Sequence, residues 1–148
     1  MNDYVLYILM RNDLASMSTG RCMAQASHAS NAFIHKYGKR PDVQEWTKST
    51  KQGFGTAIVL SIDMLDLLPL VNELKQKKFP CDCVVDPEYG ITISREIYNL
   101  IPSTTRSAPS VTKDDGKVVL FREETTCAYV FGSKEKLFQY VGNLPLYP

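Results

Sequence analysis

The sequence lacks the short motifs that mark several common kinds of catalytic site. It contains no CxxC pair, no HExxH, no GxSxG and no glycine-rich phosphate-binding loop of the GxxxxGK type. These absences argue against a zinc protease, a hydrolase with a nucleophile elbow and a P-loop nucleotide enzyme. Any chemistry must therefore come from a less conspicuous set of side chains.

Cysteine is scarce and poorly spaced for metal. The four cysteines are Cys22, Cys81, Cys83 and Cys127. Cys81 and Cys83 lie two residues apart in a predicted strand, so both side chains point to the same face. Zinc sites favour two to four intervening residues, so we expect four reduced, partly buried thiols and no metal site. Reduced thiols are typical of a cytoplasmic protein.

Long hydrophobic runs are also missing. No stretch is long enough to span a bilayer. The opening segment MNDYVLYILMRNDL places an aspartate before a short apolar run, without the basic start or cleavage site of a signal peptide. We therefore expect a soluble, cytoplasmic protein that has no membrane partner.

There is almost no excess of charge of one sign. Seventeen Lys and Arg balance sixteen Asp and Glu, giving a formal net charge of +1. Global charge therefore does not predict a nucleic-acid binder, although a local patch could contact phosphate groups. Candidates for such contacts are Lys36, Lys48, Lys51 and Arg21, and the alternative for each is an ordinary solvated surface charge.

What remains is an ordinary globular composition, with 44% apolar and 22% charged residues over 148 positions, which suits one domain. The apolar patterns predict strands at 4–10, 56–62, 81–85 and 125–132 and helices at 21–37, 43–51, 66–78 and 133–143. Pro69 favours starting the third helix at Asp66 rather than Asp63. We expect an irregular insertion at about 94–124, with a turn at Asp115-Gly116.

This order predicts an α/β fold: a single domain with a mixed, mostly parallel four-stranded sheet and helices on both faces. Sites in such sheets lie beyond the carboxyl ends of strands. Two segments therefore matter most, the loop from Arg11 to Gly20 and the segment from Asp86 to Thr92.

The stretch STGRCMAQASHAS carries three polar side chains among small ones. The spacing of Arg21, Gln25 and His28 puts them on one side of a helix whose small residues could pack closely on the sheet. With Asp86 after the third strand and Thr126 at the start of the last, they could hold a water and a polarised carbonyl. Each also has a simpler explanation: a surface cation, a packed histidine, a turn aspartate and a strand threonine.

The same residues resemble the type 2 peptidyl-tRNA hydrolases of archaea and eukaryotes. The resemblance begins at YILMRNDLASMSTGRCMAQASHASNAF, continues through Trp46 and TAIVLSI, and ends at TTCAYVFGSKEKLFQYVGNLPLY. It covers most of the chain outside about 94–124. It implies one α/β domain, often dimeric, that cleaves the ester between a peptide and the 3′ ribose of tRNA without metal or organic cofactor.

The family's functional residues are a lysine at the helix start, an aspartate and nearby threonines. By resemblance these correspond to Arg21, Asp86, Thr92 and Thr126, while Gln25 and His28 match supporting positions. Tyrosine and leucine at the end of the chain also match the family pattern. The partner implied is tRNA or peptidyl-tRNA, bound with help from the lysines named above, and a homodimer is a further expectation.

Two positions depart from the family pattern. Arg21 stands where lysine is usual, and Ile91 stands where a basic residue is usual. Arginine can stabilise negative charge but cannot give up a proton. Three functions therefore stay open: a peptidyl-tRNA hydrolase, a non-catalytic relative that binds RNA or protein, and an esterase for another acyl substrate.

Overall fold

The computed structural model describes residues 3–102 and 109–148. These residues form five helices and an open, mixed sheet of five strands. In chain order the elements are β1 (Tyr4–Arg11), α1 (Thr19–Tyr37), α2 (Pro41–Thr47), β2 (Ala57–Ile62), α3 (Met64–Gln76), β3 (Cys81–Ile93), α4 (Arg95–Leu100), β4 (Ser110–Thr112), β5 (Val118–Ser133) and α5 (Lys134–Val141).

The chain divides into two compact units. The first comprises Met1–Val84 and Thr126–Pro148, and the second comprises Val85–Thr125. Strands β3 and β5 each have residues in both units.

In the first unit, β1 is the inner strand on which both faces are built. It pairs in parallel with β2, so that Leu6 lies opposite Ala57, and antiparallel with β5, so that Met10 lies opposite Cys127. The strand order is β2-β1-β5-β3. Nearly every β1 side chain is buried, which explains its continuous apolar sequence.

Successive β1 side chains point to opposite faces and enter two cores. Val5, Tyr7 and Leu9 pack with apolar residues of α3 and α5. The alternate β1 residues pack with α1 and α2, where Phe33 contacts four aromatic rings, those of Tyr37, Trp46, Tyr129 and Phe131. The predicted α/β class with helices on both faces is therefore confirmed.

The predicted number and direction of strands were wrong in detail. The sheet has five strands rather than four, and β5 runs antiparallel to both β1 and β4. Only strands joined through crossover helices are expected to be parallel. β5 instead follows β4 through a tight hairpin turn, which reverses the chain.

Two element boundaries also differ from the prediction. Helix α3 begins at Met64, because the Asp63 carboxylate accepts a hydrogen bond from the Asp66 N–H at 3.1 Å, and Pro69 lies inside the helix. Strand β3 continues through Pro87 to Ile93 instead of ending at Asp86. Since β3 is last in the strand order, a residue without an N–H is tolerated there.

In the second unit, the stretch expected to be irregular contains regular structure on both sides of residues 103–108, which lie outside the described residues. Helix α4 precedes them, and β4 and the first half of β5 follow. The turn at Asp115-Gly116 is confirmed: Gly116 has φ of 80°, and the Asp115 carboxylate accepts a hydrogen bond from the Lys117 N–H at 3.0 Å.

Candidate active site

The start of helix α1 fixes the backbone around Arg21. Ser18 caps the helix, its hydroxyl oxygen accepting a hydrogen bond from the Arg21 N–H at 3.4 Å. The half-buried Arg21 side chain turns back along the preceding loop, and its Nη1 donates to the Ser16 carbonyl at 3.0 Å. This hydrogen bond orients the guanidinium at the helix start.

A second arginine lies at the carboxyl end of β1. The Arg11 side chain is buried and donates two hydrogen bonds to the Asp13 carboxylate, at 2.9 and 3.0 Å. This contact lowers the pKa of Asp13 from its usual value. The family motif quoted above contained both residues, but sequence reasoning gave neither a role. A charged residue that ends a fully apolar strand was the signal that could have drawn attention to the pair.

Gln25 and Thr126 are joined across the core of the first unit. Both side chains are buried, and the Thr126 hydroxyl donates to Gln25 Oε1 at 2.6 Å. The adjacent Cys127 thiol donates to the Gln25 carbonyl at 3.6 Å, and burial raises the pKa of Cys127 to about 12. A thiol with this pKa is not a nucleophile at neutral pH.

These contacts show which part of α1 packs on the sheet. The buried residues of the helix are Gln25, Ala29 and Phe33, whereas Ala24 and Ala32 are exposed. The predicted face of small residues is therefore confirmed for Ala26 and Ala29, which pack in the core on this side of the sheet, but not for Ala24 and Ala32. Of the three polar residues predicted to share one side of α1, Arg21 is half-buried, Gln25 is buried and His28 is exposed.

Helix α1 runs antiparallel to β1. Its first residues therefore lie near the carboxyl end of β1, the carboxyl edge of the sheet, and its last residues lie near the amino end, the amino edge. Gln25 meets the β5 residues near Met10, and Phe33 contacts Phe131, which lies opposite Leu6. Arg21 is thus at the carboxyl edge of β1 and Lys36 at the amino edge. The exposed Lys48 and Lys51 also belong to the amino edge, because they lead into the start of β2.

Asp86 and Thr92 belong to the second compact unit. The Asp86 carboxylate accepts a hydrogen bond from the Glu88 N–H at 3.0 Å, which holds it across Pro87. Both side chains are partly exposed on strand β3. Tyr89 and Gly90, between them, are buried.

A cavity of about 420 Å³ lies beside the start of α1. Its lining is mostly apolar and comes from the loop before α1, the first turns of the helix, strand β2 and the end of the chain: Met17, Thr19, Cys22, Met23, Val59, Tyr147 and Pro148. Burial raises the pKa of Cys22, so its thiol is neutral at pH 7. The cavity adjoins the first turns of the helix that carries Arg21, but Arg21 itself does not line it.

All four cysteines have free thiols, and those of Cys81 and Cys127 are buried. Within residues 3–102 and 109–148, no three His, Cys, Asp or Glu side chains form a group that could hold a metal ion. No helix in the same residues is long and apolar enough to cross a membrane.

Open α/β sheets bind ligands beyond the carboxyl ends of their strands, and the oriented guanidinium of Arg21 lies at that end of the inner strand β1. The sequence profile of the family described as peptidyl-tRNA hydrolase PTH2 matches residues 4–147, which is nearly the whole chain. The chain belongs to this family, as the motifs in the sequence indicate. No curated protein matches the chain.

Proposed function

We propose that this protein is a peptidyl-tRNA hydrolase that cleaves the ester between a peptide and the 3′ ribose of tRNA. The observation that carries the proposal is the match of the family to residues 4–147, which includes both the Arg21 and the Asp86 motifs. The oriented Arg21 at the start of α1 supports it, because ester hydrolysis needs a fixed cation or donor for the developing oxyanion.

In this proposal Arg21 stabilises the oxyanion of the tetrahedral intermediate. A guanidinium stays protonated throughout, so it contributes charge and hydrogen bonds but no proton transfer. The hydrogen bond from Nη1 to the Ser16 carbonyl fixes the orientation of the group that would carry this charge. This role needs no lysine, which is consistent with the substitution at this position.

We assign Asp86 to the attacking water, which it orients or deprotonates, and Thr92 to hydrogen bonding of the water or the ester carbonyl. A carboxylate can take the water proton and return it to the ribose oxygen that leaves. The reaction consumes one water, releases one peptide carboxylic acid and restores one 3′ hydroxyl on the tRNA. No metal or organic cofactor enters this scheme.

The buried pair of Thr126 and Gln25 is assigned a positioning role. The Thr126 hydroxyl already donates to Gln25 Oε1, and both groups are buried. The pair ties α1 to β5 one turn after Arg21, and so it fixes the helix that carries the cation. His28 is exposed on the same helix and is assigned a contact with substrate.

The test is hydrolysis of a purified peptidyl-tRNA, followed by the release of the peptide. We expect turnover by the natural protein, a loss of at least 100-fold in kcat for Asp86→Asn, and a comparable loss for Arg21→Gln. Asp114→Asn is the matched control for Asp86, since Asp114 is an exposed carboxylate in the same compact unit. It should retain full activity.

Arg21→Lys separates the possible roles of the cation. If Arg21 supplies charge only, Arg21→Lys keeps activity within about tenfold, because the charge stays and only the geometry of the donors changes. An inert natural protein that gains turnover on Arg21→Lys would refute the hydrolase and favour a non-catalytic binding protein. Turnover unchanged by Asp86→Asn would refute the assignment of Asp86.

A further inference from the structure

A second cavity of about 420 Å³ lies at the amino edge of the sheet, in the first compact unit. It is formed by the end of α1, the end of α3 and the start of β3. Four cationic side chains line it together with aromatic and small residues: Lys36, Arg40, Lys75, Lys78, Tyr37, Phe79, Pro80 and Cys81. A chain with a net charge of +1 thus gathers four of its cations around one cavity.

Two carboxylates neutralise part of this charge. Asp82 accepts from Lys36 Nζ at 2.6 Å and from Lys75 Nζ at 2.7 Å, and Asp42 pairs with Arg40 at 2.8 Å. Each ammonium has three donors, so Lys36 and Lys75 keep donors beyond Asp82. Both side chains are about half exposed, which leaves those donors accessible to a ligand.

Lys78 adds a cation that this network does not neutralise. No residue in the described part of the chain forms an ion pair with its ammonium. Its backbone is left-handed, with φ of 63°, and it is the one described non-glycine residue with a positive φ. It follows the end of α3, where Phe79 N–H bonds to the Leu74 carbonyl at 3.0 Å and Lys78 N–H to the Lys75 carbonyl at 2.9 Å.

That position is one where glycine, or asparagine, is ordinarily favoured. A lysine near a helix end can also serve the helix dipole, but Lys75 and Lys77 already place cations there. The strained lysine therefore indicates a use for its side chain. Lys78 lines the cavity, so its long side chain can bring the ammonium to an anion bound there.

We propose that this basic cavity binds phosphate groups of an RNA backbone, with Lys78 as its principal contact. Phosphate oxygens accept several hydrogen bonds and carry the charge that four clustered cations favour. The partly buried Phe79 and Tyr37 offer aromatic surface against which a nucleotide can lie.

The site is distinct from the one assigned to ester cleavage. Fifteen residues of α1 separate Arg21 from Lys36, about 22 Å along the helix axis. A peptidyl-tRNA whose 3′ end lies at Arg21 can place backbone phosphates at this distance. This extension to the substrate rests on the proposed function, whereas RNA binding by the cavity does not.

Binding of deacylated tRNA, which has no ester to cleave, tests the cavity independently of catalysis. We expect Lys78→Asn to weaken binding by about 3- to 10-fold and to reduce the slope of log K against log salt by about 1. Asparagine tolerates the left-handed backbone, so the melting temperature should be unchanged or higher. Lys78→Gly repeats the test with the residue that suits this backbone best.

Lys77→Asn is the matched control, because Lys77 is exposed on the neighbouring position and does not line the cavity. Equal losses in the two variants, or no loss in Lys78→Asn, would overturn the proposal. A Lys78-dependent site that takes inorganic triphosphate but not tRNA would overturn the assignment to RNA.

Steady-state kinetics then distinguish RNA binding by the basic cavity from the proposed hydrolase activity. A higher KM of Lys78→Asn for peptidyl-tRNA, with unchanged kcat and with unchanged kinetics on a peptidyl-adenosine, supports the substrate contact. A KM raised equally for both substrates would overturn it. Lys78-dependent tRNA binding without any hydrolysis would support the cavity while refuting the proposed function.

Discussion

The pair of Arg11 and Asp13 has the clearest electrostatic role at the scale of single residues. The Arg11 side chain is only 9% exposed, so it has lost most of its hydration at the end of β1. Two hydrogen bonds that Arg11 donates to the Asp13 carboxylate replace part of that hydration with a charged partner. The same contacts favour the ionised carboxylate and hold the pKa of Asp13 below its ordinary value.

A group whose pKa is lower in the folded state stabilises the protein while it is ionised. This contribution is complete above the unfolded pKa of about 3.9 and is lost as the pH falls through the lower, folded pKa. We therefore predict that Asp13→Asn destabilises the protein by about 1 kcal/mol at pH 7, a value reduced by solvent screening of the partly exposed carboxylate. The difference from the natural protein should shrink between pH 4 and pH 2.

Urea unfolding at a series of pH values measures this difference directly. Asp114→Asn is again a suitable control, because it removes an exposed carboxylate, and its curve should parallel that of the natural protein. A constant difference between Asp13→Asn and the natural protein across this pH range would contradict the assigned link to Asp13 ionisation.

At the scale of elements, predictions held where a pattern was local. The apolar run at 4–10 predicts β1, and the Ser133 hydroxyl does cap α5, accepting from the Lys136 N–H at 3.4 Å. Predictions of secondary structure were wrong where a neighbouring strand or helix determines whether the element continues. Pro87 suggested the end of a strand, yet β3 continues because its place in the strand order allows a missing donor.

In helix α3, too, a local proline signal gave the wrong boundary, and this helix leads to a prediction. Pro69 cannot donate to the Leu65 carbonyl, yet the Asp63 cap and the buried Leu67, Val71 and Leu74 hold the helix through it. Pro69 is exposed, so replacing it with alanine leaves the core intact and restores the hydrogen bond. We predict that Pro69→Ala raises the free energy of unfolding by about 1 to 2 kcal/mol, after the loss of proline's restraint on the unfolded chain.

Denaturant unfolding of Asn72→Ala provides the comparison, because Asn72 is an exposed interior position of the same helix. It should gain only about 0.5 kcal/mol from helix propensity. If Pro69→Ala gains no more than Asn72→Ala, or loses stability, the missing hydrogen bond is not what limits α3.

At the scale of the whole molecule, the α/β class could be predicted from the sequence, whereas the distribution of cations could not. Lys36, Lys48 and Lys51 were grouped with Arg21 by charge alone. The course of α1 puts Lys36 at the other end of β1, and Lys48 and Lys51 lie there because they lead into the start of β2. The cavity around Lys78 could not be predicted either, because it joins residues 36–40 to residues 75–81 through the fold.

The two compact units lead to a prediction about cooperativity. The β1 residues Val5–Arg11 are buried, and Leu6–Met10 are paired on both sides, whereas all three residues of β4 are exposed. Amides of β1 should therefore exchange hydrogen only through global unfolding, while β4 amides exchange through openings at least about 2 kcal/mol less costly. Native-state hydrogen exchange in low urea measures both.

The urea dependence makes the test sharper. Global unfolding exposes much surface, so the free energy of exchange by this route falls steeply with urea. The free energy of exchange by local opening depends on urea only weakly. We expect the steep dependence for β1 amides and the weak one for β4 amides. If β4 amides instead share the free energy and the urea slope of β1, the second unit opens only with the first. The chain would then behave as the single cooperative domain that its length predicts.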